Sequence, residues 1–70
     1  MASQNERVLN YMREHGSIDP MRAVRDLGIY RLSARIYDLK ALGVAIKSEP
    51  RFRRDEAGKI ETKWEEYRLA

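Results

Sequence analysis

The stretch that decides the fold is Gly28–Gly43, GIYRLSARIYDLKALG. Between its two glycines, Leu32, Ile36 and Leu39 recur at i, i+4 and i+7, which places three apolar side chains on one face of a helix. We therefore expect a helix over residues 30–42 whose apolar face is buried.

The opposite face of this helix differs from an ordinary solvated surface. It carries Tyr30, Ala34 and Tyr37, with Arg31 and Ser33 on its flanks. Small, aromatic and hydrogen-bonding side chains of this kind can approach a groove closely. A shorter helix that ends at Gly28 precedes it, and this is the layout of a helix-turn-helix with residues 30–42 as the second helix of the motif.

A further helix is predicted upstream. Ser3 and Glu6 have the S-x-x-E spacing of a capping box, and Gly16 is suited to end a helix in the left-handed conformation. Helix 1 is therefore expected over residues 4–15. Its apolar stripe consists of Val8, Leu9 and Met12, with Tyr11 beside it.

Helix 2 has a clear start signal. Asp19 is placed as N-cap and Pro20 at the first helical position, so the helix is expected over residues 20–27. Its predicted buried side consists of Ala23, Val24 and Leu27. Just before it, Ser17 and Ile18 could pair with a later hairpin as a short third strand.

After Gly43 the period changes to two, which predicts a β-hairpin over residues 44–69. Pro50 places the first strand at an edge or interrupts it, and Asp55–Gly58 has turn chemistry. In the return strand, Tyr67 and Leu69 alternate out of step with Trp64. We expect a bulge or a switch of face near residues 65–66 for this reason.

The length and composition of the chain limit the classes of protein to which it can belong. Seventy residues predict one domain, 1–70, with a core too small for a deep catalytic pocket. There is no cysteine and one histidine, so we expect neither disulfides nor a metal site, and no cofactor. No residues with acid-base or nucleophilic roles lie at a telling spacing, so we expect no enzymatic activity. With no membrane span and no signal peptide in the sequence, we expect a cytoplasmic protein.

Charge is segregated along the chain. Residues 20–54 contain nine basic and three acidic residues, a net of +6, and the remainder carries −3. One basic face that meets a polyanion would produce this pattern. Chance could also produce it in a chain with 36% charged residues.

The element order is helix, short strand, helix, helix, strand, strand. GIYRLSARIYDLKALG, preceded by GSIDPMRAVRDL and followed by a terminal YRL, resembles a small winged helix-turn-helix family frequent in bacteriophage and prophage genomes. The resemblance implies an α+β fold with three helices and a C-terminal hairpin as the wing. It also implies binding to double-stranded DNA. Tyr30 stands where that family usually has Thr or Ser.

The family resemblance and the positions of the residues around the predicted helix together give the candidate site residues. On the recognition helix they are Tyr30, Arg31, Ser33, Ala34 and Tyr37; Arg31 is expected to reach a base edge or a phosphate. Arg35 is instead expected to pair with Asp38 at i, i+3.

Phosphate contacts are predicted from two further groups of basic residues. The first comprises Arg22, Arg25 and Lys47, and the second comprises the wing residues Arg51, Arg53, Arg54 and Lys59. Charge on the wing also has a structural explanation, because it protects a solvated edge strand from pairing. Trp64 and Phe52 could stack on bases but are expected in the core.

These features favour a DNA-binding transcriptional regulator of a phage or prophage, monomeric in solution and able to pair on palindromic DNA. The alternative is an adaptor that binds a host protein through the same surface. Tyrosine and arginine are also enriched at protein interfaces, so the helix face itself does not separate the two.

Overall fold

Three helical segments followed by a β-hairpin make up residues 3–70, the part of the chain that the computed structural model describes. The first two residues of the predicted 1–70 domain lie outside this range. The elements are α1 (Gln4–His15), α2 (Pro20–Arg22) running directly into a π-helical turn (Ala23–Leu27), α3 (Leu32–Ala41), β1 (Ile46–Arg54) and β2 (Ile60–Leu69). The predicted α+β order is confirmed. We call α2 and the π turn together the second helix.

The predicted limits of α1 are confirmed. The Ser3 hydroxyl accepts a hydrogen bond from the Glu6 N–H at 3.1 Å, and Gly16 ends the helix in the left-handed conformation with φ of 86°. Val8 and Met12 are buried on its inner face together with Tyr11. The local signals therefore determine this helix at both ends.

The second helix begins as predicted and then changes pitch. The Asp19 carboxylate accepts the Arg22 N–H at 2.8 Å. From Ala23 onward the chain forms a π turn, and the Gly28 N–H bonds to the carbonyls of both Ala23 and Val24. The π turn fits one more residue into the turn than an α-helix does, which changes the direction of the side chains. Ala23 is buried, but Val24 is 39% exposed, so its predicted burial is wrong.

Helix α3 buries the predicted stripe. Leu32, Ile36 and Leu39 are each 3% exposed, and Ile29, which the sequence did not assign, is buried beside them. The helix starts at Leu32 instead of residue 30, with Arg31 as an N-cap that makes no side-chain cap bond. The late start follows because neither a tyrosine nor an arginine offers the short side-chain oxygen that caps a helix.

The hairpin register is regular from Ile46↔Leu69 to Arg53↔Thr62, and its irregularity lies between Arg53 and Arg54. Of the two alternatives expected near residues 65–66, the bulge is therefore wrong, and the switch of face is confirmed, since burial passes from the face of Trp64 to that of Tyr67 and Leu69. Since side chains alternate between the faces of a ladder, Trp64 lies on the face opposite Tyr67 and Leu69. The out-of-step pattern reflects two different neighbours: the core under Tyr67 and Leu69, and the second helix beside Trp64.

Ile18 joins the hairpin to the helices. Its N–H and C=O both bond to Tyr67 at 2.8 Å, so the predicted pairing with the hairpin is confirmed as an isolated bridge beside the two-stranded sheet. The buried core consists of Val8, Tyr11, Met12, Ile18, Ala23, Ile29, Leu32, Ile36 and Leu39.

Phe52 and Trp64 lie outside this core, so their predicted placement is wrong. Phe52 is 49% exposed, and Trp64 is half-buried without packing on the core cluster. Phe52 belongs to residues 51–63, the outer half of the hairpin, which are all exposed, and Trp64 lies on the strand face opposite to the one that packs on the core.

Candidate nucleic-acid interface

One side of α3 and the turn before it is open to solvent. Tyr30 is 82% exposed and Tyr37 74%, Arg31 and Ser33 are exposed, and Ala34 is half-buried. We call these five residues the α3 face. All five lie on one helix start and its first two turns, so the structure brings the predicted recognition residues together.

Arg31, the N-cap of α3, and Arg35, within the helix, have different environments. Arg35 Nη2 lies 3.2 Å from the Asp38 carboxylate, and its Nη1 donates to the Gln4 side-chain oxygen at 3.4 Å. The predicted pairing of Arg35 with Asp38 is confirmed, and Arg35 also links α3 to α1. Arg31 makes no ion pair with any residue in the range 3–70. Its charge is available to a ligand.

Each carboxylate within residues 20–54, the segment with a net charge of +6, is paired with an arginine. Asp26 pairs with Arg25 at 2.8 Å, and Glu49 pairs with both Arg51 and Arg68 at 3.2 Å. Asp38 is paired as described above. Within the described chain, the cations of this segment without an ion pair are Arg31, Lys40, Lys47, Arg53 and Arg54. The positive surplus therefore resides on these five side chains.

Arg22 is held by the protein itself. Its guanidinium lies 3.0 Å from the Asp19 carboxylate and 3.5 Å from that of Glu66, and it donates to the Ser17 hydroxyl at 2.8 Å. It thus ties the second helix to β2. Lys47, predicted to share its role, is exposed and makes no ion pair within residues 3–70.

Arg25 belongs to a chain of polar contacts between the second helix and α1. Asp26 accepts hydrogen bonds from Arg25 Nε at 2.8 Å and from the Tyr11 hydroxyl at 2.6 Å. These bonds, first that from Arg25 and then that from Tyr11, lower the pKa of the Asp26 carboxyl to about 2. The bond to Asp26 in turn raises the pKa of Tyr11 above its ordinary value. Arg7 adds a bond of 2.9 Å to the Leu27 carbonyl, which fixes the end of the second helix.

The wing arginines also differ in whether they form ion pairs within the protein. Arg51 lies 3.1 Å from Glu66 and 3.2 Å from Glu49 along the strand, and the bond to Glu66 raises its pKa. Arg53 has no ion pair with any described residue. Arg54 stacks over the Phe52 ring at 5.1 Å and donates to a carbonyl of the turn at 2.9 Å.

The turn of the wing is built on one aspartate. The Asp55 carboxylate accepts the N–H groups of Ala57 and Lys59 at 2.9 Å, and Gly58 has φ of 81°. Lys59 is exposed beside it. The basic tip is therefore held in a defined backbone conformation.

The α3 face and the wing are separate groups. No hydrogen bond or ion pair among residues 3–70 joins them directly. Lys40 was not predicted as a site residue, although its exposure in the last turn of α3 follows from the same helical wheel. Across the described residues we find no cluster of metal-ligating side chains and no helix able to cross a membrane.

Comparison with protein-family models matches residues 3–70 to a family described as a winged helix-turn-helix domain. Searches of curated proteins and of solved structures returned no match. The match covers α1, the second helix, α3 and both strands of the hairpin. The chain therefore belongs to the winged helix-turn-helix domain family, a membership that suggests DNA binding.

Proposed function

We propose that this domain is a non-enzymatic regulator that binds double-stranded DNA, with α3 in the major groove and the wing on the sugar-phosphate backbone. The observation that carries the proposal is the distribution of charge after internal pairing. Every carboxylate of residues 20–54 is bound by an arginine, whereas Arg31, Lys40, Lys47, Arg53 and Arg54 stay unpaired within the described chain. A polyanion matches that surplus.

The shape of α3 supports placement in the major groove. A helix with its side chains is about 10–12 Å across, and the major groove is about 12 Å wide. Ala34 and Ser33 are small enough to let the helix backbone approach base edges. Arg31 and Tyr37 supply hydrogen-bond donors of the length needed to reach them. Tyr30 flanks the groove at the helix start.

Backbone contacts are assigned to the basic residues around α3 and on the wing. Lys47, Arg53 and Arg54 reach phosphates without losing an ion pair, since they have none among residues 3–70. Arg22, Arg25, Arg51 and Lys59 belong to the same proposed surface. For the three arginines, a phosphate would replace a carboxylate partner, which reduces the gain from each contact.

The biological setting rests on the sequence resemblance. Its similarity to domains frequent in phage and prophage genomes supports a transcriptional regulator in the cytoplasm of a bacterial or phage-infected cell. After the core is allotted, no further long apolar surface suited to a stable dimer was found in the sequence. We therefore propose a monomer in solution that pairs, where the site is palindromic, through weak contacts on DNA.

A protein partner is the second candidate function, and one observation favours it. Tyr30, Tyr37 and Leu42 are exposed by 74% or more beside an unpaired Arg31. Aromatic residues with arginine are the usual anchors of protein interfaces. In this alternative, the same surface binds and blocks a host protein of transcription or antiphage defence.

A salt titration against duplex DNA of random sequence tests the proposal. Five unpaired cations that each neutralise one phosphate give a log–log slope of about −4.5. Raising the salt from about 50 to about 200 mM should then lower the affinity by roughly 500-fold. Fluorescence anisotropy of a labelled duplex measures both quantities. No binding at the lower salt concentration, or a flat salt response, would overturn the DNA proposal and favour the protein partner.

A further inference from the structure

An open groove of about 970 Å³ lies between the second helix and the outer half of the hairpin. The antiparallel bridge of Ile18 to Tyr67 sends the following residues along β2 toward Trp64. The second helix therefore starts beside the strand, and the contact of 3.5 Å from Arg22 to Glu66 holds the two together. Farther out the hairpin and the helix separate, and the groove opens between them.

The walls of the groove are mainly apolar. From the second helix come Pro20, Met21 and Val24, of which Met21 is 77% exposed and Val24 39%. From the hairpin comes Trp64, on the strand face that also carries Thr62. Exposed apolar side chains on two facing walls gain free energy when a ligand covers them. Methionine also adapts its shape to different apolar ligands.

The charge at the groove is positive. Its single lining carboxylate, Asp19, is bound to Arg22 at 3.0 Å, and Arg25 is bound to Asp26 outside the groove. Arg53 lines the wing side without an ion pair among residues 3–70. A ligand that places an apolar body against Trp64 and Met21 can therefore set one negative charge on Arg53.

We propose that this groove is a binding site for a small organic anion with an apolar or aromatic body. The volume supports a small molecule, because sites for such ligands measure roughly 300–1,000 Å³ and combine apolar walls with a few charged groups. A second copy of the chain fits less well, since a symmetric contact through this groove would bring Arg53 and Arg25 of one copy toward those of the other. The site shares Arg53 with the proposed phosphate contacts of the wing, but the apolar walls and the volume that support it do not depend on DNA binding.

The chain offers a direct optical test. Trp64 is its single tryptophan and lines the groove, so energy transfer from Trp64 to anilinonaphthalene sulfonate, an aromatic anion, reports binding to the protein, and substitutions in the groove locate the site. We expect saturable transfer with the dissociation constant raised about fivefold or more by Arg53→Gln, which removes the charge partner, and by Met21→Gln, which removes apolar surface. The uncharged analogue N-phenylnaphthylamine should bind the parent protein more weakly than the anion.

Matched controls lie outside the groove. Arg54→Gln removes a neighbouring wing cation, and Ile60→Gln removes an apolar side chain that is 46% exposed. Both should leave the dissociation constant unchanged, and thermal melts followed by circular dichroism establish that all variants are folded. Equal binding by all variants, equal binding of the uncharged analogue, or no saturable transfer would each refute the site. No DNA is present in the assay, so its failure is distinct from failure of the proposed function.

Discussion

Arg53→Gln and Arg51→Gln form a matched pair that tests the wing directly. The two residues lie on the same face of β1 and are two positions apart, and each substitution lowers the net charge by one. They differ in their partners: Arg51 lies 3.1 Å from Glu66 and 3.2 Å from Glu49, whereas Arg53 has no ion pair within residues 3–70. Any difference in DNA binding therefore reports direct phosphate contact and not total charge.

The expected magnitudes follow from the pairing. Loss of one phosphate contact lowers the steepness of the log–log salt slope by about 0.9, so Arg53→Gln should change a slope of about −4.5 to about −3.6. The double change of Arg53 and Arg54 should give about −2.7. Arg51→Gln should change the slope by less than about half as much as Arg53→Gln, because its guanidinium already bonds to two carboxylates.

Anisotropy titrations of one random duplex at four or more salt concentrations measure the slopes of the parent and of the three variants. Thermal melts serve as the folding control, since substitution of these exposed residues should leave the melting temperature nearly unchanged. The reasoning fails if Arg51→Gln flattens the slope as much as Arg53→Gln does. It also fails if neither variant changes the slope.

Three further predictions concern the helices and the assembly state. Arg31→Ala should cost about 1–3 kcal/mol more on a selected DNA site than on random DNA, where it lowers the steepness of the salt slope by about 0.9, with an unchanged melting temperature. Arg35→Ala should instead lower the melting temperature, because it breaks the bonds to Asp38 and Gln4; the reverse outcome would show that the two roles are exchanged. The pKa of Asp26 is lowered to about 2 from 3.8, so its stabilising effect is complete above about pH 4 and is lost as the pH falls toward 2. Asp26→Asn should remove this part of the acid dependence in urea unfolding curves, and curves with the parent's pH dependence would contradict it. Sedimentation at micromolar concentration should show a monomer, and a stable dimer would contradict that expectation.

The fold could be predicted where the determining interactions are local in sequence. The bonds from Ser3 to the Glu6 N–H and from Asp19 to the Arg22 N–H span three residues, and the α3 stripe repeats within eight. Spacing alone is enough to identify such features. The pairing of Ile18 with the hairpin was also predictable, because few other roles suit two residues between helices.

The π turn and the position of Trp64 could not be predicted in this way. A π turn differs from an α turn by one residue, and here it accompanies burial of Ala23 and Ile29 and exposure of Val24, which depends on tertiary packing. The alternation of the hairpin assumes one buried face. In this protein, the second helix lies beside the face that carries Trp64, while the core covers the face of Tyr67.

The candidate site was predictable as a set of residues but not as a set of free charges. Glu66 binds Arg22 and Arg51, which are 44 and 15 positions away in sequence, and no short-range pattern identifies such pairs. Arg51 and Arg53 are equivalent in the sequence as wing cations. Only the structure distinguishes the paired arginine from the unpaired one.

Because the hairpin is attached to the helices at one end only, its stability should decrease along its length. The attachments are the two bonds of 2.8 Å between Ile18 and Tyr67, the contact of 3.5 Å from Arg22 to Glu66, and the packing of Ile46 and Leu69 on the core. An isolated two-stranded ribbon is marginally stable in water, so residues 51–63 can open while the core stays intact. Amide hydrogen exchange should then be slow at Ile18 and Tyr67, where it requires global unfolding, and fast at Arg51 and Thr62, which by the alternation of the ladder direct their N–H groups to the partner strand. On binding a rigid partner, the outer strands can re-form around its contour at little cost to the helices that hold α3 in place.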